Sequence, residues 1–305
     1  MDFFQVAQVM VMVFLVVVVG YIANKRGIMD VQLNKKLSGL VLNVTTPALI
    51  LASALENDDL PGAGETLFIT GIAFFCYGIF FLAALVLPKL FGAPQSQVGV
   101  FRFMLMFANV GFIGYPLTTA LFGREALFYT VLFNLPFNLL SYTLGVVFIT
   151  GGRRKQLSLR LLFSPCVAAS LLSVLIALTR VGAPVLITDT LSLIGEITAP
   201  AALLIVGSSL AELPLRSVAG SPRVYVMAAF RLLILPTLLF FLLRPVVTDL
   251  TVLRIAVILG GMPVAASCTM LCLEYGGDQE LAAQGTFLTT LLSVVTIPLL
   301  AAVFL

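Results

Sequence analysis

Long apolar runs, each about 18 to 22 residues, dominate the chain and are separated by short polar turns. Runs of this length match a helical path across a bilayer core about 30 Å thick. Barrel strands would alternate polar and apolar positions, so the pattern favours helices. It predicts ten spans, at residues 4–23, 37–55, 66–88, 101–122, 126–150, 161–180, 186–211, 223–244, 252–274 and 282–304.

Composition places the chain in the lipid bilayer. Apolar residues make up 60% of it and charged residues 10%, whereas soluble domains carry about 25% charged residues. The net charge of +3 lies in short loops and indicates no nucleic-acid partner. Histidine is absent, and the four cysteines lie inside apolar runs without the spacing of metal ligands. We therefore expect no cofactor, no metal and no enzyme active site.

Basic residues predict the orientation. If the N-terminus lies outside, twelve of the 17 lysines and arginines fall at inner ends and four at outer ends. The outer four are Arg124, Arg180, Arg244 and Arg254. This bias predicts a multi-pass protein of the inner or plasma membrane, with both termini extracytoplasmic.

A polar link at the midpoint, residues 151–160, contains the cluster Arg153-Arg154-Lys155 and divides the spans into five and five. Because five is odd, the second half must be upside down relative to the first. This is the arrangement of inverted-repeat transporters. The prediction is one five-helix repeat over 1–150 and a second, inverted repeat over 151–305.

Residues of the two halves also match. Thr45 and Pro47 in the second span align with Thr198 and Pro200 in the seventh. Proline removes an amide donor and collides with the preceding turn, so Pro47 and Pro200 predict helix breaks or hinges.

Stronger breaks are predicted in the fourth and ninth spans, which contain Asn109-Val-Gly-Phe-Ile-Gly-Tyr-Pro116 and Gly260-Gly-Met-Pro263. A half-helix that starts after such a break presents free N–H groups and a partial positive charge, which suits a carboxylate. The candidate substrate-binding residues are therefore Asn109, Gly111, Gly114, Pro116, Gly261, Pro263, Val264, Ala265 and Ser267. For Asn109, two roles stay open: donating to the substrate, or tying down freed backbone groups.

Further polar residues lie inside apolar spans. Asn134, Asn138 and Tyr142 recur every four residues and share one helix face, where they serve either helix contacts or a substrate wall. Glu196 and Arg231 are candidates for ion coupling. Arg231 is the partner of Glu196, a counter-charge for the substrate, or a snorkelling side chain, and the sequence does not decide between these.

At these residues the chain resembles the auxin efflux carrier family, whose bacterial members include malonate and malate carriers. Residues Asn109 to Leu117 are similar to the bacterial N-x-G-F-I-G-x-P-L motif, and Pro263 to Tyr275 resembles the family's proline-initiated helix ending in Glu-Tyr. The plant carriers have a second proline where this chain has Cys268. The match of Tyr142 to the family's fifth-span tyrosine favours the substrate wall.

The resemblance implies an all-helical membrane fold with a scaffold of spans 1, 2, 6 and 7. A moving domain of spans 3–5 and 8–10 would contain the broken, crossing spans 4 and 9. It implies elevator-type transport of small organic anions (malonate, malate or auxin-like acids) by a homodimer. Coupling to protons or sodium stays open. The alternatives are a sodium-coupled symporter of the bile-acid type, or an anion channel or receptor on the same fold.

Overall fold

The structure is a computed structural model and is described over residues 3–56, 60–152, 164–212 and 221–304. Within these ranges the chain is helical, apart from turns and one isolated two-residue bridge. The basic cluster at Arg153 lies outside them. The α-helices are α1 (Phe3–Lys25), α2 (Val31–Leu40), α3 (Thr46–Leu55), α4 (Ala63–Leu90), α5 (Val98–Met106), α6 (Tyr115–Phe122), α7 (Ala126–Leu140), α8 (Leu144–Thr150), α9 (Pro165–Thr179), α10 (Val185–Gly195), α11 (Thr198–Glu212), α12 (Pro222–Ala229), α13 (Leu235–Leu243), α14 (Leu250–Gly260), α15 (Ser267–Tyr275) and α16 (Gln279–Phe304).

Several helical segments are long and apolar enough to cross a membrane. Among the described residues, five meet this description on their own: Val31–Leu55, Ala63–Leu90, Val185–Glu212, Pro222–Leu243 and Gln279–Phe304. The pair α7 and α8, bent by 43°, makes a sixth if it is counted as one span. The protein is therefore an all-helical, multi-pass membrane protein.

The other four predicted spans are shorter or interrupted within the described residues. Spans 4 and 9 are divided, because α5 stops at Met106 and α14 at Gly260. The predicted start of span 6 falls within 153–163, which is outside the described residues. The count of ten spans therefore stays a prediction.

Three π-helical turns, Val41–Thr45, Val110–Gly114 and Phe230–Ile234, each precede a proline by two residues: Pro47, Pro116 and Pro236. Each turn closes with an amide that donates five residues back, as Tyr115 does to Val110. The wider turn accommodates the proline ring, which would collide with a carbonyl in a regular helix. The helical path therefore continues past each of these prolines, over Val31–Leu55, Val110–Phe122 and Pro222–Leu243.

The helices form two packing groups, which also contact each other through α1 with α16 and through α7 with α9. In one, α11 lies along α1, and α3 packs on α9 and α10. Glycines permit the α1–α11 contact: a Cβ on Gly20 would collide with the backbone of Leu204, and one on Gly207 with the backbone of Val17. In the other group, α4 packs on α5 and α7, α6 packs on α7, and α16 contacts α14 and α15.

Candidate functional site

The two interrupted spans contact each other at their breaks. After α5 the chain is extended at Phe107, and Ala108 forms an antiparallel bridge with Val264. The Asn109 amide donates to the Pro263 carbonyl (2.8 Å), and the Ala265 amide donates to the Phe107 carbonyl (3.0 Å). These bonds satisfy backbone groups that the breaks would otherwise leave bare in an apolar interior.

The amides expected to bind an anion already have partners. The Val264 amide donates to Thr289 Oγ1 (3.0 Å), a side chain of α16, and the Ala265 amide is held by Phe107. Both residues are buried. In this conformation neither amide is free for a substrate. Sequence reasoning missed Thr289, although Thr289, Thr290 and Ser293 form a small polar group on an apolar helix.

Asn109 caps the π-helical turn that follows the break. Its side-chain Oδ1 accepts a hydrogen bond from the Phe112 amide (3.3 Å), and the residue is buried. Two roles were expected for Asn109, and this contact is the second of them: its side chain binds a backbone amide next to the break. Gly111 has open space where a side chain would extend, whereas Gly114 packs against Val110 and Leu259.

The remaining residues of the second break are also packed inside the protein. Gly261 lies against Leu300 of α16, and a Cβ at Gly261 would require the end of the Leu300 side chain to shift. Ser267 is half-buried, and its hydroxyl has no partner among the described residues.

A cleft of about 220 Å³ lies beside the first break. The start of α6 lines its buried part with Tyr115 and Pro116, and α3, α10 and the start of α11 form the opposite wall. Its lining also includes Leu49, Ala52, Ser53, Thr119, Ala120, Leu127, Ser192, Gly195 and Ala199. Of the predicted site residues, the cleft collects Pro116 and Glu196.

Three charged residues surround the exposed end of the cleft. Arg124, between α6 and α7, is paired with Glu196 and lies 3.8 Å from a carboxylate oxygen of Glu56. The Arg124 side chain is 61% exposed and that of Glu196 54%. Glu196 thus pairs with Arg124 and not with Arg231. Sequence reasoning did not select Arg124, although it is one of the four basic residues assigned to the outer side.

The polar face of α7 contacts neighbouring helices. Asn134 Nδ2 donates to the Tyr115 hydroxyl (3.1 Å), and Asn138 Nδ2 donates to Ser170 Oγ on α9 (3.3 Å). Tyr142, in the bend between α7 and α8, is half-buried against the core. Asn134 therefore supports the cleft through Tyr115, whereas Asn138 and Tyr142 lie away from its lining.

The matched segments of the two halves meet directly. Thr198 Oγ1 donates to Thr45 Oγ1 (2.9 Å), and both side chains are buried. Pro47 lies in the first turn of α3, and Pro200 in the first turn of α11. Both prolines lie inside longer helical segments, Val31–Leu55 and Val185–Glu212, beside the threonine contact.

Comparison with known proteins identifies the class. A family described as "Membrane transport protein" matches residues 5–301. A transporter of Methanothermobacter thermautotrophicus, named uncharacterized, is 28% identical over 291 residues, covering 94% of each chain. Another uncharacterized transporter, from Methanocaldococcus jannaschii, is 25% identical over 298 residues, covering 95% of this chain and 96% of the relative. A Rhizobium meliloti protein named "Putative malonate transporter" is 24% identical over 273 residues, covering 86% and 84%.

The family match extends over nearly the whole chain, and the resemblance inferred from the two broken spans is thereby confirmed. The relatives are named as transporters, which agrees with the prediction that the chain is not an enzyme. The chain belongs to the membrane transport protein family that includes the auxin efflux carriers, and it is a membrane transporter.

Proposed function

We propose that this chain carries small organic anions, with a carboxylate as the recognised group, across the inner or plasma membrane. The observation that supports this most is the cleft of about 220 Å³ with a guanidinium, Arg124, at its exposed end. Pockets for drug-sized ligands measure about 300–1,000 Å³. The cleft is smaller, which favours an acid of malonate or malate size over a bile acid.

Hydrogen-bonding groups in the lining suit such a substrate. Arginine binds carboxylates through paired N–H donors, and Ser192 lies in the same lining. Ser53 and Thr119 line the cleft as well, but their hydroxyls donate to the Ile50 and Tyr115 carbonyls of their own helices. The pairs that Arg124 makes with Glu56 and Glu196 are partly exposed, and such pairs are worth about 0–1 kcal/mol. A substrate carboxylate can therefore compete with them for the guanidinium. The name of the Rhizobium meliloti relative, which refers to malonate, points to the same class of substrate.

The cleft lies between the two packing groups, which suggests how access alternates. Its walls are α3, α10 and α11 from one group, and α6 and α7 from the other. We propose that these groups are the scaffold and the moving domain of an elevator-type carrier with ten spans in two inverted repeats. Sliding would close the cleft on one side and open it on the other, and would separate Arg124 from its two carboxylates.

The orientation with both termini outside, and the homodimer, belong to the same proposal. Labelling of single cysteines from either side of the membrane tests the first, and the mass of the protein in detergent tests the second.

Thermal unfolding of the purified protein with a panel of acids tests the substrate class. A ligand that binds only the folded state raises the melting temperature by mass action. Malonate, malate, acetate and indole-3-acetate would be compared with uncharged amides of similar size, with and without sodium, at acid and neutral pH. Stabilisation by one acid, and not by its amide, supports the proposal. Stabilisation by none of the acids in a folded sample contradicts it. Ion conductance without saturable exchange would instead indicate a channel.

A further inference from the structure

Arg231 is a buried charge that the proposed substrate cleft does not use. Its side chain is fully buried in the π-helical turn Phe230–Ile234, which packs on α5 and α16. Both ion pairs found in the described parts of the chain belong to Arg124, so Arg231 has no carboxylate partner there. A guanidinium stays charged inside proteins, and burying that charge without compensation is costly. The Nε and Nη2 atoms of Arg231 have no hydrogen-bond partner among the described residues, so the compensation that its charge receives comes through Nη1 and from the aromatic ring beside it.

A carbonyl at the end of α5, left without its helical partner, supplies part of the negative potential around Arg231. Arg231 Nη1 donates to the Leu105 carbonyl (3.3 Å), in the last turn of α5. In a continuous helix that carbonyl would accept from the Asn109 amide, which donates to Pro263 instead. The C-terminal end of a helix carries a partial negative charge of about half an electron. The guanidinium thus lies where the break leaves negative potential unbalanced.

The face of an aromatic ring supplies further negative potential around Arg231. The ring of Phe80 lies 4.8 Å from the Arg231 guanidinium carbon, within the range of a cation–π contact. Phe80 also lines a small cavity of about 10 Å³ together with Ala108, next to the first break, and Gly260, where α14 ends. The surroundings of Arg231 thus reach the ends of both interrupted helices and suit a cation.

Ends of this kind hold the coupling ion in other carriers. In transporters with discontinuous helices, unwound carbonyls and C-terminal half-helix ends coordinate Na⁺ or H⁺. We propose that Arg231 is a resident cation, occupying at the C-terminal end of α5 the position that a mobile coupling cation would otherwise take. This proposal for Arg231 rests on the proposed transport function. Its consequence is that transport by this chain requires no sodium. Because the guanidinium is tethered to α12–α13, its charge does not exchange with solution during the cycle.

Chemical rescue tests the role of Arg231 without any substrate. R231A leaves a space shaped for a guanidinium ion. Thermal unfolding of R231A would be compared in guanidinium chloride and in urea, its uncharged analogue of similar shape, each at about 10 mM so that binding and not denaturation dominates. R102A is the matched control: Arg102, which lies on α5 itself, is half-buried with its guanidinium carbon 5.9 Å from the centre of the Phe148 ring, but it is not at the helix end.

The expected result is that guanidinium, and not urea, raises the melting temperature of R231A, with no effect on R102A. Equal effects of guanidinium and urea on R231A would overturn the proposal. If R231A folds only when guanidinium, and not urea, is present during purification, that result also supports the proposal. R231K keeps a positive charge and R231M removes it at similar volume. R231M that folds and transports at the wild-type rate would also overturn the proposal.

Sodium dependence is the second readout. Malonate exchange by the wild-type protein in proteoliposomes would be measured in sodium chloride and in choline chloride. Equal rates are expected, whereas a rate that falls by about tenfold or more without sodium would overturn the resident-cation proposal. Absence of malonate exchange in both salts would count against the proposed function, and the rescue experiment would still decide the role of Arg231.

Discussion

The hydroxyls of Thr45 and Thr198 hydrogen-bond to each other across 2.9 Å, although 153 residues separate them in the chain. They are also the residues that the gap-free alignment of the second and seventh spans makes equivalent. A residue that contacts its own counterpart lies close to a two-fold axis. This contact supports the proposal that the chain consists of two inverted repeats and that the axis passes between the starts of α3 and α11.

A double-mutant cycle measures this contact. Thr45→Val leaves the Thr198 hydroxyl buried without a side-chain acceptor, and an unpaired buried polar group costs about 1–3 kcal/mol. Thr45→Val and Thr198→Val together should cost less than the sum of the two single changes. The thermal unfolding of the four proteins gives the coupling. Additive effects would show that the hydroxyls do not depend on each other.

The α1–α11 contact should depend on Gly207. Gly207→Leu places a side chain against the Val17 backbone, so the two helices must separate. Overpacking of this kind typically costs about 1–3 kcal/mol, and the melting temperature should fall. Gly78→Ala is the control, because no atom lies within 4 Å of the position its Cβ would take. It should be neutral or stabilising, since alanine favours helix by up to about 1 kcal/mol over glycine.

Arg124 and Glu196 should act on anion affinity in opposite directions. Arg124→Gln removes the guanidinium and should weaken malonate binding about tenfold or more, because a hydrogen bond to a charged group is worth about 1.5–3 kcal/mol. Glu196→Gln removes a competing carboxylate and should leave the affinity unchanged or higher. Calorimetric titration of both variants measures this. Arg244→Gln, an exposed arginine at another predicted outer end, is the control and should bind as the wild type does.

Glu196 is also the candidate for proton coupling. Glu196→Gln should abolish uptake driven by a proton gradient while it spares binding, because glutamine has no proton to exchange. Uptake into proteoliposomes with an imposed pH gradient measures this. Undiminished gradient-driven uptake in Glu196→Gln would remove Glu196 from the coupling mechanism.

The two roles considered for Asn109 can be separated by substitution. Asn109→Asp keeps an oxygen that can cap the Phe112 amide, but it loses the amide donor and adds a negative charge. If Asn109 also contacts the substrate in another state of the cycle, this variant should lose anion affinity. Its melting temperature should fall, because Asn109 is buried and the new carboxylate would have no charged partner there. Asn109→Ala should cost about 1 kcal/mol of stability through the lost cap. Equal affinity in wild type and Asn109→Asp would restrict Asn109 to its structural role.

Local chemistry made part of this architecture predictable. Glycine and proline indicated the breaks at Pro116 and Pro263, because their effect on a helix depends on neighbouring residues. The apolar runs predicted helices in lipid because the length and hydropathy of a run are also properties of neighbouring residues in the sequence. Pro236 was not selected, although it follows a π-helical turn as Pro47 and Pro116 do.

Long-range packing determines the rest. Whether the Val264 amide is free depends on Thr289, 25 residues away on another helix, so the sequence of the break alone does not reveal its bond. Arg124 is a candidate site residue because the ends of α3 and α10 bring Glu56 and Glu196 to it. The partner of Arg231 is a backbone carbonyl, which no side-chain pattern reports.

Counterflow of radiolabelled malonate in proteoliposomes tests the central claim most directly. Vesicles loaded with unlabelled malonate would be diluted into a trace of labelled malonate, and the label inside would be followed over time. A carrier of small organic anions predicts a transient accumulation that saturates, that other small carboxylates compete away, and that Arg124→Gln reduces. No accumulation with any loaded carboxylate, in vesicles that contain folded protein, would contradict the account.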